Sequence, residues 1–365
     1  MRVDLFDYDL PDAAIARRPT AARDGARMLV VDPRTDALED RGVADLPDLV
    51  PEGALVVVND TRVRRARLLG RKRDTAGRVE LLLVRRIASS EGGAREVWEA
   101  LGRASKPLRE GTVVLVGEGD ALSARVVGRD AEAPGAARLQ VEVTSRDGGP
   151  LEPLLEALGH VPLPPYVDRE DDADDAERYQ TVYARRAGAI AAPTAGLHLT
   201  DAAFARFEAR RIAVARVTLH VGLGTFQPVA VDDLDRHPMH SEWYEVPAET
   251  AAAVAAARER GAPVVAVGTT VVRALESAAD PSASGRVLAG QGETRLLIQP
   301  GHRFSAVDAL MTNFHLPRST LLALVSAFAG RERVARAYAQ AIARGYRFYS
   351  YGDAMWIPSR ATEAA

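Results

Sequence analysis

The chain has no cysteine in its 365 residues. That absence excludes disulfides, thiolate zinc sites, iron–sulfur clusters and cysteine nucleophiles, and it fits a reducing compartment. No run of apolar residues is long enough to span a membrane. The start, MRVDLFDYDLPD, lacks the charged-then-apolar pattern of a signal peptide. A cytoplasmic protein with no membrane partner is expected. Basic excess is missing too, since the formal net charge is −3. No global field draws in nucleic acid, so any such partner has to be met by a local patch. What is present is the composition of an ordinary soluble globular protein, with alanine and arginine heavily used. The length suits two domains.

The most unusual stretch is Gly188 to Thr200, GAIAAPTAGLHLT. Small side chains at Ala191, Ala192, Ala195 and Gly196 let backbone approach something closely. Pro193 fixes φ and removes a donor, which argues against a plain helix or a central strand. Thr200 stands where an N-cap belongs, ahead of Asp201 and the spaced aromatics Phe204 and Phe207. The pattern predicts strand, irregular loop, then helix, with His198 held before the helix. Either a functional site or a buried loop with one satisfied histidine fits this pattern.

Elsewhere, Met28–Val31 and Ala54–Val58 read as buried strands. The second ends in Asn59, Asp60, Thr61 and Arg62, polar residues where α/β proteins place ligand groups; a polar turn leaving the core is the other reading. From Val63 to about Thr144 six short β-rich runs recur between glycine-containing turns, which predicts a small antiparallel barrel. α/β signals lie on both sides of it. The fold class expected is therefore α/β, with a discontinuous α/β domain at 1–61 and 150–365 and an inserted β-barrel at 62–149. The barrel opens on a basic run: Arg62, Arg64, Arg65, Arg67, Arg71, Lys72 and Arg73. It could grip a phosphate backbone or be a solvated strand face.

Further along, Leu151–Leu158 reads as a helix ended by Gly159. The strand expected over 212–221 ends in Gly222-Leu-Gly224-Thr225. A dinucleotide reading fails there, because the third glycine and the following helix are missing. His237, His240 and Glu242 could be metal ligands, but Pro238 splits the pair, and donors around a small molecule fit better. Pro263–Val267, Gly268-Thr269-Thr270 and a helix from Val271 form a plausible anion site, or an ordinary helix start. Arg295–Ile298 and Tyr346–Tyr351 are expected to be strands. Helices are expected over 249–260, 320–329 and 332–344.

Eight motifs then occur in order: NDTRV (59–63), LGHVPLPPY (158–166), YQTVYA (179–184), AAPTAGLH (191–198), LHVGLGTF (219–226), MHSE (239–242), TNFHLPRSTLL (312–322) and YGDAM (351–355). Together they resemble the S-adenosylmethionine:tRNA ribosyltransferase-isomerase family of queuosine biosynthesis, from about Leu10 to Ile357. The resemblance implies an α/β domain with an inserted barrel. It also implies that the ribosyl unit of S-adenosylmethionine is moved onto 7-aminomethyl-7-deazaguanine at the tRNA wobble position. Epoxyqueuosine forms, and adenine and methionine leave. S-adenosylmethionine is consumed as a co-substrate; no permanently bound cofactor and no metal are implied, and a monomer is expected.

Such a reaction needs a general base and a general acid. His198, His240, Glu242 and His315 are the titratable candidates, with His198 as acid/base and Glu242 as base or sulfonium partner. Asn59, Asp60, Thr61 and Arg62 would orient the substrate. Thr269, Thr270 and Arg273 would hold the methionine carboxylate or a phosphate. Asn313, Arg318 and Ser319 would complete the pocket, with Thr194 and Gly196 from the central stretch. Arg64, Arg65, Arg67, Arg71, Lys72 and Arg73 would contact tRNA. The chain departs from the family pattern at Leu199, where phenylalanine is usual, at Val271, where serine is common, and at Arg64-Arg65, where Ile-Pro is common. A same-fold enzyme acting on another deazapurine or RNA, and a non-catalytic RNA-binding protein, are the alternatives.

Overall fold

The computed structural model describes residues 1–130, 137–222, 224 and 229–361. In chain order the strands are β1 (Arg27–Val31), β2 (Leu38–Gly42), β3 (Leu55–Asn59), β4 (Thr61–Val63), β5 (Arg67–Lys72), β6 (Arg78–Ser89), β7 (Arg95–Ala104), β8 (Val113–Val116), β9 (Leu122–Asp130) and β10 (Ala137–Ser145). They continue with β11 (Arg186–Ala189), β12 (Ala213–Leu219), β13 (Glu242–Val246), β14 (Val264–Val267), β15 (Gly290–Thr294), β16 (Ala309–Asn313) and β17 (Ala354–Ile357). The helices are α1 (Leu46–Leu49), α2 (Leu151–Leu158), α3 (Asp175–Arg178), α4 (Asp201–Ala209), α5 (Ala248–Glu259), α6 (Thr269–Ser277), α7 (Thr320–Ala329) and α8 (Arg331–Ala343).

The chain divides into two compact units. The first is Met1–Arg62, Pro164–Glu170 and Glu177–Ala365; the second is Val63–Leu163 with Asp171–Ala176. The expected barrel block ends at residue 149, whereas the second unit also takes in residues 150–163 and Asp171–Ala176.

The first unit is built on a nine-stranded sheet, ordered β15-β13-β12-β3-β14-β16-β17-β1-β2. Its centre, β12, β3, β14 and β16, is parallel. Central parallel strands are covered on both faces, so they read as unbroken apolar runs, and Leu55-Val-Val-Val58 is such a run. Successive side chains point to opposite faces. Leu55 and Val57 enter one core with Val254 of α5, Val272 of α6, Leu324 of α7 and Tyr338 of α8. Val56 and Val58 enter the other core, with Leu46 of α1 and Phe207 of α4. Helix α4 begins where expected, with Thr200 Oγ1 accepting a hydrogen bond from the Ala203 amide at 3.2 Å.

The second unit contains a closed antiparallel barrel, ordered β10-β7-β6-β5-β8-β9. All six expected runs form its staves. Alternate residues such as Leu81, Leu83, Trp98, Ala124 and Val141 are buried, which is the inward half of each strand.

Two expected strands fail. Arg295–Ile298 is irregular, and the strand there is β15, GQGET. An edge strand buries little, so it carries no apolar alternation to read. Tyr346–Tyr351 is also irregular, and the strand that follows it is β17. Two rings of this row are core packing instead: Phe348 lies 4.8 Å from Phe314 between ring centroids, and Tyr346 lies 5.6 Å from the same ring.

Gly70 sits on β5 where an added Cβ would lie 2.5 Å from the Leu115 carbonyl oxygen on β8. Backbone cannot yield there as a flexible side chain can. Gly70→Ala is expected to destabilise the chain by about 1–3 kcal/mol, read from the denaturant midpoint; an unchanged midpoint contradicts this packing.

Candidate active site

Two asparagines end two of the central strands, and each is spent largely on holding strand ends together. Asn59 is the last residue of β3 and is fully buried. Its Oδ1 accepts from the amides of Thr61 (3.1 Å) and Leu219 (3.0 Å). Its Nδ2 donates to the Leu219 carbonyl (3.0 Å) and to Thr270 Oγ1 (3.2 Å). An amide offers two donors and two acceptor sites, so none is left for a ligand. Asn313 ends β16. Its Oδ1 accepts from Thr194 Oγ1 (3.0 Å), and its Nδ2 donates to His198 Nε2 (3.1 Å) and the Asp353 carbonyl (3.4 Å). Among the described residues, one acceptor position of Asn313 stays unused.

A cleft opens beside these ends. This is the carboxyl edge of the parallel strands, where ligands of open α/β sheets bind. One wall is Ala192, Pro193, Thr194 and Ala195; opposite are Gly268, Thr269 and Thr270. Gly268 has φ of 95°, outside the range of ordinary side chains. It starts α6, whose first turn faces the cleft and favours an anion. Thr312, Asn313, His315 and Ser319 form a third side. Tyr166, Tyr349 and Ser350 close the fourth, with the two tyrosine rings 4.5 Å apart. Tyr349 has φ of 73°, a strained value for a large residue. Its amide donates to the Phe314 carbonyl and its carbonyl accepts from the Gly352 amide, which fixes it.

His315 keeps its imidazole 2.8 Å from Thr312 Oγ1. Burial drives its pKa down to about 3, so it is neutral. His198 is also neutral: burial lowers it to about 4 with some help from the Arg347 charge, against a backbone hydrogen bond with Arg23.

A second cavity is lined by His237, His240, Glu242 and Arg273 among leucines. Burial first, and the neighbouring His240 second, lower the His237 pKa. Glu242 Oε1 accepts from the Gly222 amide at 2.9 Å, and Oε2 pairs with Arg273 Nη1. Thr269 borders the cleft and Arg273, four residues on, borders this cavity, so both lie along one face of α6. Leu321 borders both spaces.

The expected site residues are thus partly gathered and partly dispersed. Thr194, Thr269, Thr270, Asn313, Ser319 and His315 line the cleft, and His240, Glu242 and Arg273 line the second cavity. His198 lines neither; it stands behind Asn313 and orients its amide. Asn59, Asp60, Thr61 and Arg62 line neither as well. Asp60 accepts from Thr218 Oγ1 at 2.6 Å, and Thr61 Oγ1 lies 2.8 Å from His220 Nδ1. Gly196 is a packing residue, since a Cβ there would sit 2.0 Å from the Tyr183 hydroxyl. Arg318 turns away to Asp7 at 3.5 Å. Ser319 caps α7, accepting from the Leu322 amide. The Gly222–Phe226 motif lies mostly outside the described residues. Among the described residues no cluster suits a metal ion, and no helix is long and apolar enough to cross a membrane.

From Arg64 to Arg73 the basic run is tied into the second unit. Arg64 lies 5.4 Å from the Trp98 ring. Arg67 pairs with Glu80, Arg71 with Asp120, Arg73 with Asp74, and Arg65 reaches Glu156 at 3.9 Å. Lys72 Nζ donates to the carbonyls of Lys106 and Pro107.

Sequence reasoning missed Tyr166, Tyr349 and Ser350 as cleft residues, and Leu296–Ile298 as a cavity wall. Tyr166 ends the LGHVPLPPY motif, and that motif is the signal that could have found it. Nothing local distinguishes Tyr349 from its buried aromatic neighbours.

The family described as "Queuosine biosynthesis protein" matches residues 3–357. The chain is 57% identical to an S-adenosylmethionine:tRNA ribosyltransferase-isomerase of Sorangium cellulosum, covering 98% of each. It is 52% identical to the enzyme of that name from Rhodospirillum rubrum, covering 97% of each. A crystal structure of S-adenosylmethionine tRNA ribosyltransferase from Thermotoga maritima is similar, with a TM-score of 0.53 and 33% identity over 97% of this chain and 99% of that one.

Two buried neutral histidines make stability depend on pH. Unfolded, each takes up a proton near pH 6.5; folded, His198 waits until about 4 and His315 until about 3. Below pH 6.5 the unfolded chain binds more protons, so stability falls as pH falls and is unaffected above it. Each contributes at most about 1.4 kcal/mol per pH unit. Urea midpoints at pH 7, 5.5 and 4.5 check this; His315→Gln is expected to flatten the slope, and an unaltered slope argues against a neutral buried ring.

Proposed function

The chain belongs to the queuosine biosynthesis protein family, and we propose that it acts as an S-adenosylmethionine:tRNA ribosyltransferase-isomerase. The ribosyl unit of S-adenosylmethionine moves to the aminomethyl nitrogen of 7-aminomethyl-7-deazaguanine at the wobble position of tRNA. Rearrangement gives epoxyqueuosine, with release of adenine and methionine. The observation that carries this reading is the cleft at the carboxyl edge of β3, β14 and β16, backed by the start of α6 and joined along that helix to a cavity holding Glu242 and Arg273.

The small-residue wall Ala192–Ala195 suits a flat ring, and the unused acceptor of Asn313 suits an amino group on it. Thr269 and Thr270, at the start of α6, suit an anionic group. His315, held neutral, is fitted to donate a hydrogen bond to a departing base; with a pKa of about 3 it is a poor proton acceptor. The proton next to the sulfonium then falls to the second cavity, where His240 supplies an imidazole. His198 becomes a positioning residue for Asn313. Val271 is buried in the core of α6, so the hydroxyl it lacks takes nothing from the cleft, and the usual substrate is favoured over a variant one.

The basic run contributes through exposed Arg71 and Arg73 and half-buried Lys72. The ion pairs of Arg71 and Arg73 are surface pairs worth about 0–1 kcal/mol and Lys72 holds only two carbonyls, so phosphates can replace the present partners. Arg64 and Arg67 are more deeply engaged within the barrel unit.

The direct test mixes the protein with S-adenosylmethionine and tRNA carrying the aminomethyl-deazaguanine. Adenine plus methionine is expected; S-adenosylhomocysteine would mean methyl transfer and overturn the mechanism. Asn313→Ala is expected to lower kcat/KM by roughly 10- to 100-fold. His198→Ala is expected to slow adenine release without moving the pH–rate profile; a shifted limb would make His198 an acid or base after all. For tRNA, the triple Arg71→Ala, Lys72→Ala, Arg73→Ala variant should bind more weakly. Its salt slope should be shallower by about one for each phosphate that is no longer neutralised. An unchanged slope removes the run from the tRNA surface.

A further inference from the structure

The Glu242–Arg273 pair is an unusual thing to bury. Glu242 is 6% exposed and Arg273 7%, in a cavity whose other walls include Met239, Leu296, Leu297 and Leu324. Burial of an ion pair is tolerated only when the remaining hydrogen-bonding positions are filled. Those of Glu242 are well used, by the Gly222 amide and Arg273 Nη1. Arg273 Nε donates to the Leu296 carbonyl at 3.2 Å. Arg273 Nη2 is buried with no acceptor among the described residues. A guanidinium edge left without a partner beside an enclosed space marks the place of an absent acceptor.

The chemistry of the walls narrows what that acceptor belongs to. A phosphate would bring its charges against the Glu242 carboxylate. A simple cation would meet Arg273. A zwitterion satisfies both: a carboxylate on Arg273 Nη2 and an ammonium on Glu242. The leucine and methionine walls then take an unbranched apolar chain, and a thioether or sulfonium is soft enough to lie against them. We infer that the cavity between α6 and the Leu296–Ile298 segment is an α-amino-acid subsite, in which Arg273 and Glu242 hold the carboxylate and ammonium of a methionyl group.

This subsite deepens the proposed function and rests on it. Thr269 at the cleft and Arg273 in the cavity are four residues apart, about 6 Å along α6. One ligand can therefore lie along the helix, its ring in the cleft and its amino-acid end in the cavity. It also divides roles that the sequence placed together: Thr269 and Thr270 face the cleft, while Arg273 reads the amino acid. When the bond to the sulfonium breaks, the methionine product keeps its own contacts. Free L-methionine should then compete with S-adenosylmethionine.

The test is calorimetric titration of the full chain without tRNA. S-adenosylmethionine is compared with its decarboxylated analogue, and L-methionine with 4-(methylthio)butanoate and methioninamide. Loss of either charged group should weaken binding on the order of 10- to 100-fold, and L-methionine should displace S-adenosylmethionine competitively. Equal binding of the decarboxylated analogue, or no competition by L-methionine at millimolar concentration, overturns the subsite. Arg273→Gln should erase the preference for the carboxylate; if that variant does not fold, the analogue series on the unaltered protein decides alone. Adenine release from S-adenosylmethionine and tRNA reports separately. Normal release with indifference to the carboxylate removes the subsite and keeps the enzyme. No release with any tRNA removes the enzyme reading itself.

Discussion

The parallel centre of the sheet has to stop somewhere, and its ending governs the rest. Each central strand carries backbone donors and acceptors into the protein, and buried ones cannot be left unpaired. Asn59 and Asn313 resolve this at the ends of β3 and β16, with side-chain amides standing in for ladder partners. Asn59 thereby ties β3 to β12 and to the first turn of α6. Asn313 ties β16 to Thr194, His198 and Asp353. The strand ends are held apart at fixed positions, and the space between the loops that leave them is the cleft. A low-dielectric network of this kind has to be fully satisfied to be stable, which is why so many polar residues of the motifs face inward.

The same economy explains the electrostatics. The cleft holds hydroxyls, amides and a neutral imidazole, and the formal charges are set back in the second cavity. On the proposed reading, a cationic sulfonium substrate would be met by dipoles at its ring end and by an opposite pair at its amino-acid end. Preorganised dipoles of this sort need no rearrangement as charge develops. The strained turn at Tyr349 belongs to the same construction, since it presses an aromatic ring to the cleft wall against Tyr166.

The barrel unit follows a different logic. Its arginines alternate with acids on neighbouring strands, and cross-strand pairs stabilise a small sheet. In the run that looks purely basic along the chain, Arg65, Arg67, Arg71 and Arg73 each have an acid beside them in space. Any tRNA contact there comes from exchanging weak partners, not from charges held ready.

The order of the motifs and the alternation of the strands were legible in the chain itself. Short periodic runs between glycine turns specified a six-stranded barrel, because inward and outward residues alternate by covalent geometry. An apolar run such as Leu55–Val58 specified a strand covered on both faces, and Thr200 announced α4 through its own hydroxyl. Polar edge strands such as β15 left no such mark, since they bury almost nothing. Nor could the chain show which polar residues face a ligand. His198 and Asn313 are 115 positions apart, and only folding decides that one stands behind the other. Residue type and local spacing follow from the sequence. Whether a side chain spends its hydrogen bonds on its own protein or keeps one for a substrate is a property of three-dimensional neighbours, and the tertiary structure alone settles it.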